Sequence, residues 1–501
     1  MHGVMRNPGM QWFFTILAGL LTAVAFAPYS VWPLSILGLA WLFRQWQAAT
    51  PARAFWLGFA FGTGLFLGGV YWVYFSMHVY GHIPWPLAGL LTLVFAMFLG
   101  LFPGLCGWLA NRLFPDLKQA FPWLIYPVAW TLVEWMRSWL FTGFPWLNAG
   151  ASQVGSPLSA YLPVVGEYGV SLLVALSAAL MISMVRSRGL SRAGGIVALA
   201  AIWLGALALQ PMEWTRPAGK PIRVALVQGD IDQESKWDPQ SFDSIVSHYL
   251  KLTRPYWGVD VVIWPETAIP AFYDDARDVV DALQQLAHDQ GSDMLVGIPY
   301  RNKETGQYYN SVLSLGAEQR FYHKRHLVPF GEFIPFQSSL EGLLDFMGLP
   351  MSGFSRGEAG QKPLLAGHYR AGITICYEIV FNDEVRDSLP AANYLVNVSN
   401  NTWFGDSSMP FQQLQIISMR ARESGRYVAS VTNNGVTALV DDRGRIVRQS
   451  PQFAANVLVG ELVPRQGSTP FVRWGNGPVL ILLFACVLLA GLMQRRAAAL
   501  R

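Results

Sequence analysis

The sequence predicts two fold classes in one chain: a multi-pass α-helical membrane domain with eight transmembrane helices, and a layered α/β domain. Three observations carry this. Of the 501 residues, 52% are hydrophobic and only 14% charged, with a mean hydropathy of +0.30, whereas an ordinary soluble chain has about 25% charged residues. The charge is unevenly spread: residues 1–210 hold few acids, residues 220–465 read like a soluble domain, and the composition changes near Pro211 to Pro221. From Ile222 onward, long apolar runs give way to short β-rich runs separated by amphipathic helices.

The membrane part comes first. Apolar segments fall at about 10–27, 31–46, 54–76, 86–111, 121–140, 158–185, 194–210 and 477–494, each near the roughly 20 residues that cross a bilayer, with the second and seventh short. Arg6 and the Ala25-Phe26-Ala27 stretch also fit a secretory signal; with Met1 at the start, the segment is expected to be retained. Arg44 and Arg53 follow the second segment, Arg112 and Lys118 the fourth, Arg186, Arg188 and Arg192 the sixth, and Arg495, Arg496 and Arg501 the eighth. All four clusters fall on one side. The positive-inside rule makes that side cytoplasmic, so both termini are cytoplasmic and the α/β domain lies on the opposite face. In a bacterium this means the inner membrane and the periplasm.

Glu134 and Arg137 stand three apart in the fifth segment, and Glu167 lies in the sixth. Glu134 and Arg137 can pair along one helix face, or Arg137 can reach an anionic lipid headgroup at the outer interface. His78 and His82 lie in a loop without metal-site context, and no metal is expected. The glycine-rich stretch Phe61 to Gly69 suits close helix packing. Trp139, Phe144, Trp146, Phe471 and Trp474 are expected in an interfacial aromatic belt. The net charge of +4 is spread over short loops, which gives no footprint for nucleic acid.

In the α/β part, strands are expected at 222–228, 259–264, 293–298, 309–315, 371–376, 393–398, 427–432, 436–441 and 456–462. Helices are expected near 239–254, 275–290, 381–389 and 409–424. The three cysteines are Cys106, Cys376 and Cys486, so residues 220–465 contain one thiol and no disulfide of their own. Cys376 ends the strand of AGITICYEIVF, a place where buried structural cysteines also occur.

Three strand ends carry chemistry. VDVVIWPET supplies Glu266, FYHKRHLVPFGEF supplies Lys324 and Glu332, and ITICYE supplies Cys376. A free thiol with a pKa of about 8.5 is mostly protonated at neutral pH, so a carboxylate base is useful for activating it. A cation and a backbone N–H aimed at a tetrahedral oxyanion supply the other need of acyl chemistry. Singly, Glu266 also fits a turn cap and Lys324 a solvated charge between His323 and Arg325.

Together these motifs resemble the nitrilase superfamily, on WPET, HKRHLVPFGE, CYE and NVSNNTWFGD over roughly 222–465. With seven helices before this region and one after it, the whole chain is similar to the bacterial apolipoprotein N-acyltransferase family. The resemblance implies an αββα sandwich with a Glu–Lys–Cys triad. It also implies transfer of an acyl chain from a phospholipid, usually phosphatidylethanolamine, to the α-amine of a diacylglyceryl-cysteine on an apolipoprotein. Glu266 would be the general base, Cys376 the thioester-forming nucleophile, and Lys324 an oxyanion donor with the Tyr377 N–H. Glu332 would tune the lysine or the acyl site, and Trp237, Tyr377 and Glu378 match positions the family needs. Many relatives have a histidine near Gln413 and an arginine near Ser430, and this chain departs at both.

Asn400, Asn401, Trp403 and Phe404 are expected to shape the wall beside the cysteine, with Asn401, Trp403 and Phe404 open to substrate. The apolar stretch 342–354, GLLDFMGLPMSGF, reads as a lid or as a packed loop. No metal or diffusible cofactor is called for. The domains are 1–212, 220–465 and 470–501. Two other readings remain: a membrane-tethered amidase that uses water as acceptor, and a transporter with an accessory domain. The first has no need of eight helices, and the second none of Glu, Lys and Cys at strand ends.

Overall fold

The computed structural model describes residues 8–333 and 353–499. Two compact units divide the chain, Met1–Met212 with Arg473–Arg501 and Glu213–Val472.

In the first unit every expected apolar segment contains a helix: Pro8–Ala23, Pro33–Gln47, Pro51–Gly69, Trp85–Leu113, Pro122–Arg137, Leu162–Arg186, Gly189–Leu209 and Gly477–Ala499. Four helices among the described residues, Trp85–Leu113, Pro157–Val185, Gly189–Leu209 and Gly477–Ala499, are long and apolar enough to cross a membrane. A fifth follows if Pro51–Gly69 and Val73–Tyr80, bent by 64°, count as one span. The expected eight is thus met in helices but not in spans of full length. At 1.5 Å rise per residue, the 16-residue helices Pro8–Ala23 and Pro122–Arg137 reach only about 24 Å of a roughly 30 Å hydrocarbon layer. The Phe61 to Gly69 stretch does pack closely: a Cβ at Gly62 would stand 2.9 Å from the Cα of Gly100.

Arg137 is held inside the helical unit. It is buried, and its guanidinium donates to the backbone carbonyls of Phe144 (2.5 Å) and Trp146 (2.7 Å) and to Asn148 Oδ1 (2.5 Å). An irregular segment after Pro122–Arg137 leaves carbonyls without helical partners, and the buried guanidinium satisfies two of them. These contacts and the charge of Arg137 beside Glu134 agree with an internal role for Arg137. Glu134 accepts from Trp130 Nε1 (2.8 Å) and the Ala149 N–H (2.9 Å), and Asn148 donates to Glu167 (2.8 Å). Trp139 and Trp474 are exposed as a belt requires, whereas Trp146 and Phe471 are buried.

The second unit is built on two six-stranded sheets. In chain order its strands are β1 (Thr215–Pro217), β2 (Ile222–Gln228), β3 (Val261–Ile263), β4 (Asp293–Arg301), β5 (Tyr308–Leu315), β6 (Arg320–His323), β7 (Leu364–Ala366), β8 (Tyr369–Ile375), β9 (Tyr394–Ser399), β10 (Val428–Thr432), β11 (Ala438–Val440), β12 (Ile446–Gln449), β13 (Asn456–Leu462) and β14 (Arg465–Gly467). One sheet runs β13-β2-β3-β4-β5-β6 and the other β12-β11-β10-β9-β8-β7, while β1 and β14 form a separate pair. The centres are parallel, β2-β3-β4 and β8-β9-β10, and the edges antiparallel.

Alternation along the strands explains the layering. In β2, Val224 and Leu226 turn to a core shared with Ile373, Ile375, Val396 and Val398 of the facing sheet. Their neighbours Ala225 and Val227 turn outward to a second core with Ile245 and Tyr249 of helix Phe242–Thr253 and Val280 and Leu283 of helix Arg277–Asp289. Both faces of the sheet are apolar because both are covered. Helix Met409–Ser424 lies by the second sheet, its Arg420 buried and donating to the carbonyls of Ile379 (3.1 Å) and Val380 (2.9 Å). Of the stretch 342–354, all but Gly353 and Phe354 lies outside the described residues.

Candidate active site

Parallel strands direct their C-terminal ends to a common crevice, and the expected residues arrive there from four strands. Glu266 follows β3, Lys324 follows β6, Cys376 follows β8, and Asn400 follows β9.

Cys376 has a left-handed backbone, φ 53°. A non-glycine residue held there is strained, and such strain persists only where surrounding contacts fix it. The strand stops at Ile375 and the chain turns at once into the short helix Cys376–Val380, so the thiol stands on a sharp strand-to-helix corner. Glu266 has a similar setting, with Thr267 at φ 50°. A Cβ on Gly297, in β4, would lie 2.2 Å from the Pro265 carbonyl oxygen and 2.8 Å from the Glu266 Cα. Only glycine allows the Glu266 turn to lie against β4.

The charged groups form one buried cluster. Lys324 is 1% exposed, which rules out the solvated-charge alternative. Its Nζ stands 2.8 Å from Glu332 and 3.6 Å from Glu266 Oε1. Asn310 of β5 bridges the two acids, donating through Nδ2 to Glu266 Oε1 (2.7 Å) and Glu332 Oε1 (3.1 Å). Glu266 Oε2 accepts the Asn400 N–H at 2.7 Å, and Glu332 Oε2 accepts the Val328 N–H at 2.9 Å. Burial pulls the Lys324 ammonium down, but Glu332, Glu266 and Cys376 together raise it above its ordinary value, so it stays a cation. Burial, then Glu266, pushes the Cys376 thiol well up, with Lys324 opposing. The resting group is therefore a thiol, with a base and a cation both beside it.

Glu378 ties two of these strand ends together. Its Oε1 accepts the N–H groups of Arg325 and of His326 (3.2 Å), just after Lys324. Its Oε2 accepts the Ile375 N–H (2.7 Å), just before Cys376, and the Tyr322 hydroxyl (3.2 Å). Full burial, then Glu384, raises its carboxyl to about 8.

The remaining expected residues divide. Trp237 and Trp403 are exposed, Tyr377 and Phe404 half-buried. Asn401 is buried and donates to Gln413 Oε1 at 2.9 Å. Its Nδ2 thus braces the wall through Gln413, while its Oδ1 has no partner among the described residues. Arg137 belongs to the first unit, as described above. Sequence reasoning missed Asn310, whose role comes from lying opposite two acids, and Lys236. Lys236 is buried, donates to the Glu266 carbonyl at 3.1 Å, and is lowered by burial to about 8 against the pull of Glu266. Its place beside Trp237 in SKWDP was the signal that could have found it.

A buried thiol, a carboxylate and a fixed cation at one strand-end crevice can perform acyl transfer through sulfur. Residues 18–180 match the family described as Apolipoprotein N-acyltransferase N-terminal domain, and residues 223–469 match Carbon-nitrogen hydrolase. The chain is 41% identical over 484 residues to the apolipoprotein N-acyltransferase of Methylococcus capsulatus, covering 96% of each chain. It is 40% identical over 490 residues to that of Nitrosomonas europaea, covering 96% of this chain and 98% of the other. A Pseudomonas aeruginosa protein of the same name is 41% identical over 470 residues, with 93% and 92% covered. With both halves matched in order and nearly the full length aligned, the chain belongs to the apolipoprotein N-acyltransferase family.

Proposed function

We propose that this acyltransferase works by a two-step exchange in which Cys376 carries the acyl chain as a thioester. In the first step Glu266 takes the thiol proton as Sγ attacks the ester carbonyl of a phospholipid. The tetrahedral oxyanion is held by Lys324 and the Tyr377 N–H. Collapse breaks the ester C–O bond, and the lysophospholipid leaves with the proton returned by Glu266. In the second step the α-amine of a diacylglyceryl-apolipoprotein attacks the thioester, Glu266 accepts the amine proton, and the amide forms as Sγ leaves and is reprotonated.

The observation that carries this is the strained Cys376 beside the Lys324–Glu266 pair, 3.6 Å apart and nearly sealed from water. Exclusion of water matters because a thioester hydrolyses unless its acceptor is favoured. Phosphatidylethanolamine is the proposed donor. Trp237, Trp403 and Phe404 are the proposed apolar contacts for acyl chains, and Glu332, Tyr377 and Glu378 the supporting groups. No metal or cofactor enters these steps.

The arginine and lysine clusters support eight membrane segments in the inner membrane of a bacterium, with both termini cytoplasmic. Residues 1–212 and 470–501 would then be the membrane part and 220–465 the periplasmic catalytic domain. Amide hydrolysis, the amidase alternative, is not favoured, because the relatives matched along nearly the whole chain are named as acyltransferases. Discharge of a preformed acyl-enzyme separates the two: a diacylated lipopeptide should release the acyl group far faster than buffer alone. Equal rates would overturn the acceptor assignment.

A further inference from the structure

The peptide bond between Cys376 and Tyr377 has two ends, and the proposed oxyanion donor is only one of them. Its other end, the Cys376 carbonyl, receives two buried side-chain amides. Gln413 Nε2 donates to it at 3.3 Å and Asn397 Nδ2 at 3.4 Å. These donors are themselves fixed. Gln413 accepts from Asn401 (2.9 Å) and donates to Ser399 Oγ (3.2 Å), while Ser399 donates to Asn397 Oδ1 (2.9 Å) and Asn397 donates to Thr374 Oγ1 (3.1 Å). All five of these residues are buried.

A trans peptide is planar, with its C=O and N–H pointing in opposite directions. Gripping the carbonyl oxygen therefore sets the direction of the Tyr377 N–H, and polarising the carbonyl makes that N–H a stronger donor. The left-handed turn at Cys376 takes this peptide out of the sheet ladder and into the short helix Cys376–Val380, where the two side-chain amides add to the hold of the turn's own backbone. Helix Met409–Ser424 is well placed for this, because Gln413 and Arg420 are seven residues, about two helical turns, apart on one face. Gln413 reaches the start of the Cys376–Val380 turn, and Arg420 reaches the carbonyls at its end.

We infer that Gln413 and Asn397 are positioning residues that orient the oxyanion-binding N–H of Tyr377 by holding the opposite edge of the same peptide. This rests on the thioester reading above. It also accounts for Gln413 as a departure in the sequence, since any side chain with an N–H at that point can hold the carbonyl.

The test compares full-length wild type, Gln413→Met and Gln413→Leu in two reactions of Cys376. One is thioester formation from phospholipid vesicles, followed by intact mass, and the other is alkylation by iodoacetamide, a displacement that passes through no oxyanion. Both variants should lower kcat of thioester formation by about 10- to 100-fold, less than outright loss of a donor. KM for phospholipid and the alkylation rate should stay within about twofold, the signature of an interaction made in the transition state. Thioester formation within about twofold of wild type, or equal losses in the two reactions, overturns the inference, because the second pattern means a displaced thiol. If Gln413→Met does not fold, Gln413→Leu, which has nearly the same bulk and no donor, decides alone. A wild type that forms no thioester overturns the proposed function itself and the inference with it.

Discussion

Glu266→Gln separates the base from the shape of the site. Glu266 Oε1 takes Asn310 Nδ2 at 2.7 Å and lies 3.6 Å from Lys324 Nζ, while Oε2 takes the Asn400 N–H at 2.7 Å. Every neighbour is a donor, so an amide NH2 at either position meets another N–H. Leaving such a contact unsatisfied in a buried site costs about 1–3 kcal/mol. One escape exists. Asn310 Oδ1 has no partner, and turning that amide over offers the new NH2 an acceptor at the expense of the Glu332 contact, which brings the cost to the low end, about 1 kcal/mol. Catalysis has no such escape. Losing the general base should slow thioester formation by about 10²–10⁴-fold. A quenched single turnover with phospholipid, read by intact mass, gives the rate, and thermal unfolding gives the stability. Thioester formation within about tenfold of wild type in a folded variant would refute the assignment of Glu266 as base.

Further outcomes follow from the same cluster. Lys324→Met strands Glu266 and Glu332 without their cation and should cost about 3–5 kcal/mol in thermal unfolding; adding Glu332→Gln should restore much of that stability while acylation stays lost. Gly297→Ala pushes a Cβ into the backbone of Pro265 and Glu266, and should cost about 1–3 kcal/mol. A displacement of about 1 Å at the base also lowers kcat by on the order of 100-fold. Both are measured on purified protein. Glu378 is raised from its ordinary 4.5 to about 8, so the folded protein holds a proton there that the unfolded chain has lost. Its contribution to stability is fully present below pH 4.5 and is lost as pH rises through about 8. Thermal unfolding of Glu378→Gln across that window should therefore depend less on pH than wild type.

The candidate catalytic residues were legible as a set because each sits in its own short motif at a strand end. Glu266, Lys324 and Cys376 needed no knowledge of what lay opposite. The central strands were also legible, since two covered faces demand continuous apolar runs, as in β2 and β9. What the sequence hid depends on register between distant segments. Asn310 acts on Glu266 across 44 positions and Gln413 on the Cys376 carbonyl across 37, and nothing local marks either amide. Short strands such as β6 and β7 were missed because three or four residues show no usable period. The partners of Arg137 were hidden for a different reason: hydropathy locates a helix end, but not the loose carbonyls beyond it that accept from a cation.

The central claim is that the acyl chain rests on one sulfur. Purified full-length protein mixed with phospholipid vesicles, then digested and mapped by mass spectrometry, tests it directly. The account predicts a fatty-acyl thioester on the peptide bearing Cys376, absent in Cys376→Ala and cleared by a diacylated lipopeptide with formation of the amide. Amide formation by Cys376→Ala, or an acyl group found on any other residue, would contradict it.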